Sequence, residues 1–331
     1  MAAAKRKIKK KTSQSTKKTL NLSPAIITIL LIIFSGIFYA AYLETGDIET
    51  PEAVTENFIT KDANLEVHYI DVGQGDCSLI IFGDTTILVD AGEKEMGERV
   101  VKYLNSLGIT QLDYIVATHP HSDHIGGLPT VIKEIEVSKI IAPRITEAMT
   151  PTTKTYENFI VALKNKALKL TAAKSGDIYT LDYNQTDVAS NNKTAQMEII
   201  SPIYPDYELY NDLNDFSVVF KLTYKDTTFL FTGDASKPAE KDILANNIDI
   251  SSNVLKIPHH GSSSSSTSNF VTAVDAEIGI IQCGKDNSYN HPNDKIVERY
   301  ENGNTILYRN DLNGDVIVYS DGENIKVVKG K

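Results

Sequence analysis

Thr118-His119-Pro120-His121-Ser122-Asp123-His124-Ile125-Gly126-Gly127 packs three histidines and an aspartate into six positions of a chain that holds only seven histidines. Upstream, Leu112 to Ala117 reads as a short apolar strand ending at a turn; downstream, Gly126-Gly127 breaks the chain before Leu128-Pro129 opens a helix. His119 and His121 are two apart, so an extended backbone turns both imidazoles to one side. Asp123 and His124 fall on the following turn, which can aim them at a second point close by. Two ligands on a strand end and two more on a turn frame a pair of adjacent cations. Such pairs serve in-line hydrolysis, one ion holding the nucleophile and the other the leaving oxygen. A lone strand histidine is more often a hydrogen-bonded core residue, but that reading does not account for four ligand-type residues this dense.

Three later stretches repeat the pattern. Phe231-Thr232-Gly233-Asp234 sets a carboxylate at the end of an apolar strand, and Leu255-Lys256-Ile257-Pro258-His259-His260-Gly261 sets two histidines at another. Asn290-His291-Pro292 follows the strand Ile278 to Gln282 through a glycine and polar turn. Singly, a Gly-Asp is a common turn and His291 an exposed turn histidine. Together, ligand-type residues at the ends of separate strands are how a rigid sheet edge makes one shared site.

The 331 residues, 41% hydrophobic, have room for one large domain or two small ones with an ample core. Charge is unevenly spread. Eight of the 33 Lys and Arg residues and none of the 43 Asp and Glu precede Glu44, leaving 25 basic against 43 acidic residues, a formal net of −18. An acidic body does not bind polyanions through bulk charge. The basic tail, residues 1–23, leads into Pro24 to Leu43, which carries no charge, and about 20 such residues cross a bilayer as a helix. Lysines before the span and acids after it place the tail inside and the body outside. A cleavable signal peptide is the rival reading, but its apolar core is usually about 7–15 residues, and Tyr39-Ala40-Ala41 is a poor cleavage site. The spacing therefore predicts a single-pass, uncleaved cell-membrane anchor, a linker over 44–63 and an extracellular body over 64–331. Cys77 and Cys283 are the only cysteines and are expected to be buried free thiols, although one disulfide would be allowed outside the cell.

Within the body, strands are expected at Glu66–Asp71, Ser78–Phe82 and Thr86–Val89, then a helix over Glu93–Ser106. After the histidine stretch come a strand at Lys139–Ala142 and a helix at Tyr156–Lys166, while Ala172 to Asn192 shows no clear pattern. Further strands are expected at Met197–Ile200, Ser217–Tyr224, Thr228–Thr232 and Val254–Ile257, with helices at Lys237–Ala245, Ser268–Val274 and Asp294–Glu301. Thr305–Tyr308, Val316–Tyr319 and Ile325–Val328 close the body as strands. This rhythm suits two mixed sheets packed together with helices outside. The serine run Ser262 to Ser268 reads as a loop with a hydroxyl cap for the helix behind it.

These stretches resemble the metallo-β-lactamase fold superfamily, an αββα sandwich of two mixed β-sheets flanked by helices. Within it they are similar to the hydrolase domain of the ComEC-type competence proteins. The resemblance rests on Asp71-Val72-Gly73-Gln74-Gly75-Asp76, Leu88-Val89-Asp90-Ala91-Gly92, His119 to His124, Thr232-Gly233-Asp234, Leu255 to Gly261, Cys283-Gly284-Lys285 through Tyr289-Asn290-His291-Pro292, and Asn313-Gly314-Asp315. It covers about Leu65 to Val328 and no multi-span channel, so it does not extend to DNA import. The branch also includes phosphorylcholine esterases of cell walls.

The resemblance implies two divalent metal ions. His119 and His121 would hold one, Asp123, His124 and His260 the other, and Asp234 would bridge them. It implies that Asp90 braces the histidine loop, that His259 contacts substrate or supports a ligand, and that His291 assists the phosphoryl oxygen. His68 matches no ligand position and is taken as structural. One departure matters: no histidine occurs from Ile125 to Pro258, and Asn214-Asp215-Phe216-Ser217 stands where many members carry another ligand. The first ion would then have few protein ligands. With no thiolate in the set, imidazoles favour zinc, with manganese as the alternative. The implied activity is hydrolysis of a phosphodiester, with Asp123 and Asp234 positioning the attacking water and Lys256 and Lys285 as basic contacts. The substrate would be a nucleic acid, as in a ComEC-like nuclease, or a phosphorylcholine ester on a cell-wall polymer. A non-catalytic binding protein that keeps the fold is the reading from another class. The sequence names no protein partner.

Overall fold

Several strands of this body are apolar at nearly every position, so both of their faces need cover. The computed structural model describes residues 63–183, 193–203 and 209–330. The expected tail, anchor and nearly all of the linker lie outside these residues. Among the described residues no helix is long and apolar enough to cross a membrane.

Strands β1 (Leu65–Tyr69), β2 (Ser78–Phe82) and β3 (Thr85–Val89) run as an antiparallel meander. Helix α1 (Gly97–Ser106) carries the chain to β4 (Gln111–Val116), parallel to β3. The short α2 (Ser122–Ile125) and α3 (Leu128–Glu134) lead to β5 (Glu136–Ala142), and α4 (Lys154–Asn165) to β6 (Leu170–Ala172). The chain then builds a second sheet from β7 (Ile178–Asp182), β8 (Thr194–Ser201), β9 (Val219–Tyr224) and β10 (Thr227–Phe231), each antiparallel to the last. Parallel strands β11 (Val254–Lys256), β12 (Ile278–Ile281) and β13 (Ile306–Arg309) follow, reached through α5 (Lys237–Ala245), α6 (Ser268–Val274) and α7 (Asp294–Asn302). After the one-turn α8 (Asn310–Asn313), β14 (Val316–Ser320) and β15 (Ile325–Lys329) return to the first sheet, β14 lying antiparallel to β1. The sheet orders are β15-β14-β1-β2-β3-β4-β5-β6 and β13-β12-β11-β10-β9-β8-β7.

The alternation of side chains sorts the core into three apolar layers. Ile80, Ile87, Val116 and Ile141 face Phe220, Leu222, Phe229 and Ile280 between the sheets. There Tyr69 stacks on Phe231 at 6.0 Å and Phe82 meets Tyr224 edge-on at 4.9 Å. The alternate residues Leu79, Leu88, Ile115 and Ile140 turn outward under Val100, Leu104, Val131 and Phe159 of α1, α3 and α4. On the far side, Leu230, Leu255 and Ile281 lie under Ile243, Phe270 and Tyr300 of α5, α6 and α7. The result is helix, sheet, sheet, helix, as the pattern predicted.

Differences from the expected elements are local. The helix expected over Glu93–Ser106 begins with a separate 3-10 turn, Lys94–Met96. β6, β7 and the one-turn α2 and α8 were not expected. β7 falls in the stretch that showed no pattern, where Ile178 is exposed and the strand edges a sheet. Thr267 caps α6, its hydroxyl accepting from the Phe270 N–H. Cys77 and Cys283 are buried and unpaired.

Candidate metal centre

The ligand-type residues gathered here follow the C-terminal ends of strands: Asp76 after β1, Asp90 after β3, His119 to His124 after β4, Asp234 after β10, His259 and His260 after β11, His291 after β12. They converge on Asp234. Its Oδ2 lies 3.2 Å from His124 Nε2, 3.4 Å from His260 Nε2, 3.7 Å from His259 Nε2 and 3.9 Å from His119 Nε2. The extended spacing brings His119 Nε2 to 3.0 Å from His121 Nδ1. His121 is also the N-cap of α2, which turns Asp123 toward His260, 3.2 Å from Oδ2 to Nε2. One donor atom each from Asp123, His124, Asp234 and His260 lie within 4.8 Å of one another.

The imidazoles are held by their other nitrogens. His124 Nδ1 meets Asp90 at 2.8 Å, while Asp90 also accepts from the Thr118 N–H at 2.8 Å and hydroxyl at 2.6 Å. His260 Nδ1 lies 2.7 Å from the Gln282 carbonyl. A ring fixed this way presents Nε2 to a cation in a defined tautomer. His259 and His260 both take left-handed backbones, φ 51° and 52°. Such conformations cost non-glycine residues on the order of 1–3 kcal/mol each. The turn is held by His259 N–H donating to the Gly233 carbonyl at 3.1 Å and Ser262 N–H to the His259 carbonyl at 2.7 Å. Gly233 is itself left-handed at φ 49°, and a Cβ there would meet Thr118 Cβ at 2.9 Å.

Charge is divided sharply. Burial pushes Asp234 upward, but His124 and His260 hold it well below the usual carboxylate range. Burial works to lower His124, and Asp234, Asp123 and Asp90 raise it well above an ordinary histidine. His260 is lifted to about 10 against burial by Asp234 and Asp76. His119 is pushed well down by burial and by His124. His291 falls to about 4 through burial and the neighbouring His260 and His259. His124 Nε2 and Asp234 Oδ1 are buried without hydrogen-bond partners. Imidazole nitrogens and carboxylates crowded together with orphaned donor atoms fit divalent cations, which displace the protons that otherwise fill such a site.

The cleft above this centre has a volume of about 300 Å³ and is lined by Gln74, His121, Ser122, Asp123, Asn214, Asp234, His259, His260, Tyr289 and His291. His291 rests beside His259 and His260, with ring centroids 5.5 and 5.9 Å away. Its backbone is clasped by Asn287, whose Oδ1 accepts from the His291 N–H at 3.0 Å and whose Nδ2 donates to the His291 carbonyl. Asn214 lines the cleft with Oδ1 unpartnered. His68 lies away from it, bonded to Tyr103 and Glu66.

Three charged residues near these stretches stand outside the cleft lining. Asp215 does not line the cleft; it is buried near the N–H groups of Ser236 and Ala239 that open α5, and burial with Asp212 raises it to about 6. Lys285 is exposed and outside the cleft lining. Lys256 is 2% exposed and lies behind the ligands, paired with Asp76, so it is shielded from any substrate. Two supporting residues had not been singled out. Ser217 Oγ accepts from the Asp234 N–H at 3.0 Å and sits 3.4 Å from His119 Nδ1, and Thr118 links Asp90 to His119.

The sequence profile of the Metallo-beta-lactamase superfamily matches residues 70–285, and the chain belongs to that superfamily. ComE operon protein 3 of Bacillus subtilis is 27% identical over 271 residues, covering 76% of this chain and 32% of that protein. Competence protein ComA of Neisseria gonorrhoeae is 27% identical over 266 residues, covering 80% of this chain and 33% of that protein. Recombination protein 2 of Haemophilus influenzae is 26% identical over 262 residues, covering 76% of this chain and 28% of that protein. The chain thus spans about a third of the length of these relatives.

Proposed function

We propose that this protein is a metal-dependent phosphodiesterase whose hydrolase body is held outside the cell by the N-terminal span. The observation that carries the activity is the convergence of four imidazoles on the Oδ2 of Asp234 beneath an open cleft. His119, His121 and Asp234 would hold one cation; Asp123, His124, His260 and Asp234 the other, zinc or manganese. Bound there, the cations supply Lewis acidity at a phosphoryl oxygen and lower the pKa of water. Asp123, half-buried on the cleft wall, orients the attacking water by accepting its proton in a hydrogen bond. His291, neutral above about pH 4, donates one N–H to the phosphoryl oxygen as charge builds there. Asn214, also in the cleft lining, offers an amide to the substrate.

The relatives named for competence and recombination support a polynucleotide as the phosphodiester. The cleft itself supports a smaller one. Among the described residues no lysine or arginine lines it, and polynucleotide affinity usually rests on such contacts to phosphates. Tyr289, 65% exposed on its rim, is a surface on which a quaternary ammonium such as choline would sit. The full-length chain in detergent, loaded with zinc or manganese, should be screened against DNA, RNA, bis-p-nitrophenyl phosphate, phosphorylcholine esters and β-lactams. Turnover of phosphodiesters only is expected. Turnover of β-lactams alone, or metal binding without any turnover, would overturn the assignment.

A further inference from the structure

Beneath the ligands lies an ion pair that the proposed chemistry does not use. The Lys256 ammonium contacts Asp76 Oδ2, donates to the Gly233 carbonyl at 2.9 Å, and lies 3.8 Å from Asp234 Oδ1. All three side chains in this arrangement, Asp76, Lys256 and Asp234, are buried. An ammonium this deep needs an anion, because an unpaired buried charge is strongly destabilising. Two carboxylates are within reach of it. If Lys256 closed on Asp234, the carboxylate on which the imidazoles converge would be neutralised and drawn away from them. Asp76 is the better-anchored partner. Its N–H donates to the Asp123 carbonyl at 3.1 Å, its own carbonyl accepts from the Gly92 N–H at 2.9 Å, and its Oδ1 lies 3.2 Å from His260 Nδ1.

We propose that Asp76 is a positioning residue that occupies the Lys256 ammonium and thereby leaves Asp234 free to hold cations. This rests on the reading that the cluster binds divalent metal. Lys256 shares the Gly233 carbonyl with the His259 N–H, so the left-handed turn that presents Asp234 keeps a donor even without the ammonium. The pair is a device for keeping an anchoring charge without surrendering a ligand to it.

The test uses the full-length chain in detergent, with zinc and manganese titrated by calorimetry and the melting of the metal-free protein measured alongside. A wild-type chain that binds neither metal would remove the cation reading itself, before any variant is compared. With wild-type binding established, Asp76→Asn should weaken metal binding by about 10- to 100-fold, the range usual for a residue supporting a ligand. The double variant Asp76→Asn/Lys256→Met should recover most of that loss, since no ammonium remains to capture Asp234. A merely structural role would lower the melting temperature of the metal-free protein without this reversal. Unchanged affinity in Asp76→Asn, or a double variant that binds no better than the single one, would sink the proposal. Should Asp76→Asn fail to fold, Lys256→Met decides: wild-type affinity supports the role, and a loss of about 10-fold or more overturns it.

Discussion

His291 shows how burial assigns a role to a side chain. A turn histidine in water is half protonated near pH 6.5, whereas here burial and two neighbouring imidazoles keep the ring neutral above about pH 4. It is therefore a hydrogen-bond donor rather than a fixed positive charge. His291→Ala should keep both metals and most substrate affinity while kcat falls about 100- to 1,000-fold, read from steady-state kinetics beside metal analysis. Asp234→Ala should instead lose metal and activity together; full metal content at a near-normal rate would remove it from the centre. Asp215 makes a different prediction. Its carboxyl, raised to about 6 in the fold, favours the native state most when protonated. Its contribution is present below the unfolded value near 4 and is lost as pH rises through about 6. Asp215→Asn should thus melt above wild type at pH 7.5, by up to about 3 kcal/mol, and show no such gain at pH 4. Equal differences at both pH values would show that the carboxyl's charge is not what matters there. The ligands were legible in sequence because they are clustered and fall at strand ends. The Asp76–Lys256 pair was not, because its members are remote in the chain and a lysine beside His-His-Gly reads as a substrate contact. The available signal was its setting: a lysine inside the apolar run Val254 to Ile257 has to meet a buried acid.

At the scale of elements, the loops rather than the strands do the aiming, and they touch one another closely. Gly75, at φ 138°, lets the loop after β1 press against the histidine loop, since a Cβ there would stand 2.3 Å from the Asp123 carbonyl oxygen. Gly75→Ala should push Asp123 away from His260. The expected result is weaker metal binding together with a stability loss of about 1–3 kcal/mol, seen as a lower melting temperature at unchanged secondary structure by circular dichroism. Metal affinity equal to wild type would mean that the contact between the loops does not set the ligand. Most strands and long helices were readable because buried parallel strands are apolar throughout and the surface helices carry a clear 3.6-residue period. β7 was hidden for the converse reason: on a sheet edge with exposed residues, a strand loses the pattern that burial imposes. The one-turn α2 was read as a turn because four residues are too few to show a period.

For the whole molecule, the two sheets meet along an edge that belongs to neither alone, and the centre is shared across it. The proposed ligand set is lopsided: His119 and His121 would share only Asp234 on one side, while Asp123, His124 and His260 crowd around it on the other. Calorimetric titration should therefore resolve one tight and one weak binding event. Two equally tight events would mean that Asn214 or another donor completes the sparser side. Protease added to intact cells should digest the body if the span places it outside; protection until lysis would reverse that orientation. Finally, β1 lies between β2 and β14, and Leu65 pairs with Ser320, more than 250 residues later. The first strand of the body thus has β2 beside it early but lacks its second neighbour until nearly the last part of the body has been made, and pairings this distant are slow to form. During synthesis, the loops bearing Asp76 and Asp90 have to wait beside an open sheet edge. A body that closes its first sheet only when β14 arrives has no finished cluster of imidazoles and carboxylates to offer a cation until then.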